Sequence, residues 1–408
     1  MGSYLNPGSG LFEMALRSQI FVDKSGLIEK TNHCVRTLQR YMCVSRPRRF
    51  GKSMGVDMLA AYYERGEDTE KLFADFAIGK AESFRKHLNQ YDVIRINMQQ
   101  FLSITNSTDE MLELLQERIL RELERKYPDC IKDGQLILSM MDIFSFTGHP
   151  FVILIDEWDC LFREYQQNRD AQKKYLDFLR VWLKDQDYVG LAYMTGILPI
   201  KKYGSHSALN MFTEYSMTDP GDMAQYFGFT EEEVKTLCRE YDMSFEETKA
   251  WYDGYGLCTH SRYGDQYYSM YSPKSVVEAM LRHKFGTYWN QTETFEALQV
   301  YIDMNFDGLK DDVLSMIAGE RIPVNTGSFT NDMTTFRTED DVLTLLIHLG
   351  YLAYDSENKV VKIPNNEVRN EYVNSVAASD WGEVSIALKQ SADTLNAIWQ
   401  RRPQQVAE

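Results

Sequence analysis

The amino-acid sequence predicts an α/β fold with a mainly parallel sheet, followed by a helical subdomain and a winged-helix-like unit. Three observations predict it. Apolar runs of strand length alternate with amphipathic helical stretches as far as about residue 218, the pattern of a sheet with helices on both faces. Two helix-start signatures follow one another after Pro220. Beyond Asp311 a helical stretch leads into a strand, a turn and a second strand. The 408 residues leave room for two to three domains at about 150 residues each. With 44% apolar and 25% charged residues the composition is that of a globular chain able to bury a core.

Residues up to about Arg40 read as a helix-rich entry, because VDKSGLIEKTNHCVRTLQR carries apolar residues at helical spacing. Residues 41–45 (YMCVS) form a short apolar run bounded by a Pro/Arg/Gly stretch, hence a buried strand. Residues 53–64 are helical, with Met54, Met58, Leu59 and Tyr62 on one face. A second strand follows at 93–98 (VIRINM), then a long Leu- and Glu-rich amphipathic helix at 109–127. The run at 151–155 (FVILI) is apolar throughout, as a strand covered on both faces should be. A helix at 172–185, a fourth strand at 189–195 (VGLAYMT) and a fifth at 213–218 (TEYSMT) complete the alternation, which calls for right-handed crossovers.

After that the pattern changes. FTEEEVKTLCREY carries a capping box at Thr230 and Glu233, and MSFEETKAWY another at Ser244 and Glu247. The third unit has a helix at 339–349, then GYLAYD, a turn at 356–358 and KVVKIP, the outline of a winged helix. A helix at 381–399 and a loose polar end follow. The expected units are a core at 1–218, a helical subdomain at 219–305, a winged-helix-like unit at 306–380, and a C-terminal helix and tail at 381–408.

The balance of 44 basic against 60 acidic side chains gives a net charge of −16. Such a chain repels phosphate backbones unless its basic residues are grouped. This argues against a general nucleic-acid coat, but not against a nucleotide pocket that needs only a few donors. No apolar run approaches the roughly 18 residues of a membrane span. The N-terminal MGSYLNPGSGLFEMALRSQ lacks a basic start and is broken by Glu13 and Arg17, unlike a signal peptide. The six cysteines (Cys34, Cys43, Cys130, Cys160, Cys238, Cys258) are widely spread, with no Cys-x-x-Cys and no Cys/His pair at zinc spacing. Reduced thiols in a cytoplasmic protein without membrane contact are the expectation.

The chemistry-bearing signal is SRPRRFGKS (45–53), placed after a strand and before a helix as a phosphate-binding loop requires. In that reading the backbone N–H groups and the helix N-terminus cradle the β-phosphate, and Lys52 reaches the β- and γ-phosphates. Gly51 lets the backbone approach, and the Ser53 hydroxyl ligates Mg²⁺. Arg46 stands where the usual loop has Gly. About a hundred residues on, FVILIDE (151–157) is an apolar strand ending in two carboxylates, the Walker B arrangement. Asp156 would hold the metal and Glu157 would deprotonate the attacking water. Together the motifs predict a P-loop NTPase core. Arg46, Arg48 and Arg49 crowd the loop. One of them stabilises phosphate charge, or they pair with acidic neighbours such as Asp57 or Glu157; the spacing does not choose.

FVDKSGLI (21–28), CVSRPRRFGKSM (43–54), VILIDEWD (152–159), TGILPIKKYGSHSALNMF (195–212) and WYDGY (251–255) resemble the bacterial AAA-ATPase-like family, over roughly residues 10 to 375. The loop with Arg at the usual Gly position is that family's own variant. The resemblance implies an ATPase core related to archaeal-type and STAND-like ATPases, with helical and winged-helix-like segments behind it. It implies an ATP site at Arg48, Arg49, Phe50, Gly51, Lys52, Ser53 and Met54, Mg²⁺ on Ser53 and Asp156, and Glu157 as base. The Asp-Glu pair resembles the additional-strand, catalytic-glutamate branch of P-loop NTPases, where the strand between the Walker strands ends in a polar sensor. Thr195 is that sensor, or simply ends a strand.

Asp23 and Lys24 lie near the adenine in the same reading. Longer members of the family end in a PD-(D/E)xK nuclease, but no Asp followed by a strand-borne Glu-x-Lys occurs near this C-terminus. Between Phe306 and Tyr372 six basic residues face twelve acidic ones, so the winged-helix-like unit suits a protein contact better than DNA. His206 with Ser205 and Ser207 is no triad, and Lys201 with Lys202 approaches the nucleotide or a partner. The aromatics Trp251, Tyr252, Tyr255, Tyr267, Tyr268 and Tyr271 read as core packing. The functional expectation is a Mg²⁺-dependent ATPase acting as a switch or assembly-dependent motor, with a protein partner or a second copy. The alternatives are a nucleotide-binding scaffold with little turnover, or a DNA-associated defence ATPase whose nuclease is lost or supplied by another chain.

Overall fold

A computed structural model of the chain describes residues 2–131, 134–200, 209–262, 264–289, 298, 308–329, 336 and 338–378. The expected helix at 381–399, and Lys201, Lys202, Ser205, His206 and Ser207, lie outside the described residues. Strands β1 (Tyr41–Ser45), β2 (Asp92–Asn97), β3 (Phe151–Asp156), β4 (Val189–Gly196) and β5 (Thr213–Tyr215) form one all-parallel sheet in the order β2-β3-β4-β1-β5. All residues of β1, β3 and β4 are buried, which is why these strands read as unbroken apolar runs.

Successive side chains divide between two cores. Tyr41, Cys43, Phe151, Ile153 and Ile155 face one layer, with helices Thr108–Lys126 and Arg169–Leu183. Met42, Val44, Val152 and Leu154 face the other, with helices Gly26–Cys34 and Lys52–Tyr63. The result is a three-layer α/β/α sandwich. The fifth strand stops at Tyr215, short of the expected 218. The Ser216 hydroxyl accepts from the N–H groups of Thr218 and Asp219 and closes a turn there. Met54 does not join the helix's core face but stands 45% exposed at its start.

The segment after Pro220 is not purely helical. Helices Glu231–Glu240, Phe245–Tyr252 and Pro273–Arg282 pack with a small antiparallel sheet of β6 (Phe229–Thr230), β7 (Tyr255–Thr259) and β8 (Gln266–Tyr271), ordered β6-β8-β7. The Thr230 capping box forms reciprocally, and Ser244 accepts from the Glu247 N–H. Tyr252, Tyr255 and Tyr271 are buried as expected, but Tyr267 is 63% exposed. Tyr267 stands near the outer end of β8, along which the residues pass from exposed at Gln266 and Tyr267 to buried at Met270 and Tyr271.

Further on, helix Leu309–Ile317, β9 (Ile322–Pro323), helix Glu339–Leu349, β10 (Ala353–Asp355) and β11 (Val360–Lys362) build a helix–strand–helix–hairpin unit with sheet order β10-β11-β9, followed by helix Asn366–Ala378. Among the described residues no helix is long and apolar enough to cross a membrane, and all six cysteines are free thiols.

Candidate functional site

The strand order positions the site. With β4 between β3 and β1, the register sets Thr195 beside Val44 on one side and Asp156 on the other, and Asn97 beside Asp156. The ends of four parallel strands therefore meet at one sheet edge, where a crevice opens in folds of this type. Between β1 and helix Lys52–Tyr63 the chain turns through Arg49 (φ 68°) and Gly51 (φ 87°), both left-handed. A Cβ on Gly51 would meet nothing within 4 Å, so it is the backbone angle, not space, that calls for glycine there. Left-handed residues in a loop before a helix N-terminus are one way in which N–H groups are turned toward an anion.

The loop closes around its own lysine. Lys52 Nζ donates to the carbonyls of Arg46 and Pro47 at 3.0 and 2.9 Å, and its side chain is buried. Burial pulls the ammonium below its usual pKa, against Glu157, Asp156 and Asp159, which favour the charge. Asp156 ends β3 fully buried. One carboxylate oxygen accepts from the Glu157 N–H at 3.0 Å, while Oδ2 has no hydrogen-bond partner among the described residues. Burial raises its pKa, opposed by the Ser53 hydroxyl and by Lys52. Thr195 Oγ1 is likewise buried and has no partner among the described residues. Orphaned buried oxygens are costly, and here they sit beside Ser53 at the loop mouth. This oxygen-only donor set fits a hard divalent cation such as Mg²⁺.

Glu157 itself adopts a left-handed φ of 53°, unusual for a side chain with a Cβ. The kink carries the chain off β3 into helix Cys160–Glu164, which supplies Arg163. Arg163 pairs with the Glu157 carboxylate and lies 3.4 Å from that of Asp159. Burial raises the Glu157 pKa, with Lys52 and Arg163 pulling against it. For Arg163, burial opposes the charge, but Asp159 and Glu157 outweigh it and push the guanidinium up. Asp159 is fully buried and accepts from the N–H groups of Ile197 and Leu198 at 3.0 and 2.8 Å. It thereby ties the start of this helix to the end of β4. Sequence reasoning did not find Arg163. Its only signal is its place one short helix after Glu157, which becomes meaningful once the kink is known.

All seven expected loop residues, Arg48 to Met54, line one cavity of about 1400 Å³, together with Glu157 and Arg163. Asp156 and Thr195 lie buried at the strand ends beneath. Away from the loop the wall turns apolar, with Phe12, Ile20, Phe21, Val22, Tyr226, Phe229 and Val277. A polar, cationic end and an apolar end suit an amphipathic ligand such as a nucleotide. Of the pair Asp23 and Lys24, only Lys24 faces this space. It is held by the Gln225 carbonyl and Glu233 at 2.8 and 2.7 Å. Asp23 accepts from the Ser25 and Ala77 N–H groups and caps local turns instead.

Arg46 does neither of the things expected of it. Its guanidinium is wholly buried and donates to the carbonyls of Ser45, Tyr215 and Met223 at 2.9, 2.9 and 3.4 Å, 5.8 Å over the Phe227 ring. Burial lowers its pKa to about 10. Asp57 pairs with Arg95 at 2.7 Å, and Glu157 with Arg163. Arg46 thus pins β1, β5 and the segment Gly221–Tyr226 together. Restoring the usual glycine by Arg46→Gly is expected to destabilise the fold by about 3 kcal/mol. Three carbonyls lose a charged donor and a void opens. Chemical denaturation of the two proteins measures it.

The loop is also wedged from outside. Phe50 packs edge-on against Tyr255, with ring centroids 5.2 Å apart, and its carbonyl accepts from Gly228 at 3.0 Å. The Trp289 indole donates to the Arg48 carbonyl at 3.4 Å. Pro47 lies against Gly350, where a Cβ would come within 2.8 Å of it, and Tyr255 donates to the Gly350 carbonyl at 2.7 Å. Both later units therefore touch the loop between β1 and the helix Lys52–Tyr63 directly.

Residues 11–205 match the model of the AAA-ATPase-like family, described as a predicted AAA-ATPase. The match is shorter than the expected span of roughly 10 to 375, but it contains every site residue named above up to Thr195. An uncharacterized protein in the vnfD 5′ region of Azotobacter chroococcum mcd 1 is 23% identical over 294 residues, covering 67% of this chain and 51% of that protein. The chain thus spans about half the length of the curated relative it matches.

Proposed function

We propose, from the match of residues 11–205 to the AAA-ATPase-like family, that the chain binds and hydrolyses Mg·ATP. The observation that carries the reading is the convergence of Lys52, Ser53, Asp156, Glu157 and Thr195 at the ends of three adjacent strands, under one cavity. Lys52 and the loop N–H groups hold the β- and γ-phosphates. Ser53 and Asp156 hold the metal, which when bound offsets charge on the phosphate oxygens. Glu157 accepts the proton of the attacking water, and Thr195 orients the γ-phosphate or that water. The apolar end takes the base.

The contacts of Pro47, Arg48 and Phe50 with the two later units support a switch or assembly-dependent motor. A loop that shifts when phosphate leaves must move Gly350, Trp289 or Tyr255 with it. The third unit, with its acidic balance, is read as a winged-helix-like protein-contact module, its partner a second copy or another protein. A specific observation also favours the scaffold alternative: the Arg163 pair holds the base on a fixed cation, as a site with little turnover would.

The test is thermal unfolding with ATP, with and without Mg²⁺. At a free nucleotide concentration about 100 times Kd, binding adds about 2.7 kcal/mol to stability. The expected result is a rise in Tm with Mg·ATP that shrinks when EDTA is added. No rise at millimolar Mg·ATP overturns the reading.

A further inference from the structure

A second group of ligating side chains lies on the β7–β8 hairpin, outside the nucleotide cavity. Cys258 sits near the end of β7, His260 just after it and Asp265 just before β8. Cys258 Sγ lies 3.8 Å from His260 Nδ1, and that nitrogen lies 2.9 Å from Asp265 Oδ1. The three ligand atoms all fall within 4.8 Å of one another. The hairpin register explains this. Thr259 pairs with Gln266, so the next residues outward, 260 and 265, face each other across the loop mouth. The loop beyond is held by hydrogen bonds from the Gly264 N–H to the Ser261 carbonyl and from the Ser261 hydroxyl to the Gly264 carbonyl, at 3.0 and 2.9 Å.

Two chemistries use a thiol, an imidazole and a carboxylate together. A nucleophile relay needs the thiol and the carboxylate on opposite ring nitrogens, so that a proton taken at one is answered at the other. Here both converge on Nδ1, which rules that geometry out. Three different lone-pair donors gathered about one point are instead a ligand set. Its mixture of soft sulfur, borderline nitrogen and hard oxygen matches zinc-type ions rather than Mg²⁺ or Ca²⁺.

We propose that Cys258, His260 and Asp265 bind one thiophilic divalent cation of the zinc type, with the fourth coordination position open to solvent. Cys258 lines a cavity of about 300 Å³ whose wall also holds Asp253, Asp355 and Glu357 against Arg321 and Lys362. On binding, the Cys258 thiol proton passes to solvent and the imidazole keeps its one proton on Nε2, leaving thiolate, neutral imidazole bound through Nδ1 and carboxylate as the three donors. The site would tie the hairpin mouth shut next to the third unit, independently of nucleotide.

The test is a Co²⁺ titration of the whole chain after chelator treatment. One equivalent should bind with a thiolate-to-cobalt charge-transfer band and the visible bands of tetrahedral cobalt, both removed by Zn²⁺. Cys258→Ser should abolish the charge-transfer band, while Cys34→Ser and Lys52→Ala keep it. His260→Ala, at a side chain 68% exposed and so safe for folding, should weaken binding at least about tenfold, since loss even of an outer-shell partner costs that much. Absence of the band in the wild type, or its survival in Cys258→Ser, overturns the proposal.

Discussion

Glu157→Gln is expected to keep Mg·ATP binding and to lose phosphate release by about 10²- to 10⁴-fold, the usual contribution of a positioned general base. The amide keeps the shape of the side chain but cannot accept the water's proton. Arg163 retains Asp159 as a partner, so the helix Cys160–Glu164 stays anchored, and matched melting curves check this. The pH dependence follows from the same environment. Burial holds the Glu157 carboxyl above its ordinary pKa of 4.5, even against Lys52 and Arg163. A base must be ionised to work, so release should fall as pH drops through a midpoint above that of a free glutamate. The residual rate of Glu157→Gln should show no such acid limb. Phosphate release against pH at saturating Mg·ATP reads both effects.

Lys52→Ala should remove nucleotide binding itself. The ammonium is buried and held by two carbonyls of the loop, so in the proposed reading it would meet the phosphates pre-positioned and poorly hydrated. Truncating one partner of a desolvated charge pair costs about 2–5 kcal/mol, roughly 30- to 4,000-fold in Kd. Calorimetric titration with Mg·ATP measures it. Arg48 and Arg49 also line the cavity, so residual weak binding is compatible with the assignment; unchanged affinity is not. The carbonyls of Arg46 and Pro47 would also lose their donor, so the loop itself should loosen.

Much of this site is written in contiguous residues. The four long strands and the helix after the loop are legible because a sheet covered on both faces demands unbroken apolar runs, and β1, β3 and β4 obey it. The loop and the Asp156–Glu157 pair are legible because phosphate and metal binding need fixed residue types at fixed spacing. What was not legible depends on contacts distant in sequence. A linear reading leaves Arg46 between phosphate and an acidic neighbour, because nothing in it shows Tyr215 and Met223 closing over the side chain. Arg163 acquires a role only through the left-handed turn at Glu157. The β7–β8 hairpin was hidden by its aromatic residues, which suit a helix core or a strand equally well. With it was hidden the meeting of Cys258, His260 and Asp265, whose spacing matches no common zinc pattern.

The most direct measurement is phosphate release from saturating Mg·ATP by the wild-type chain and by Glu157→Gln, with nucleotide occupancy measured in both. Steady release by the wild type that collapses in the variant at equal occupancy is the expected result. Equal release from both, or none from a fully occupied wild type, would contradict an ATPase that uses Glu157 as its base.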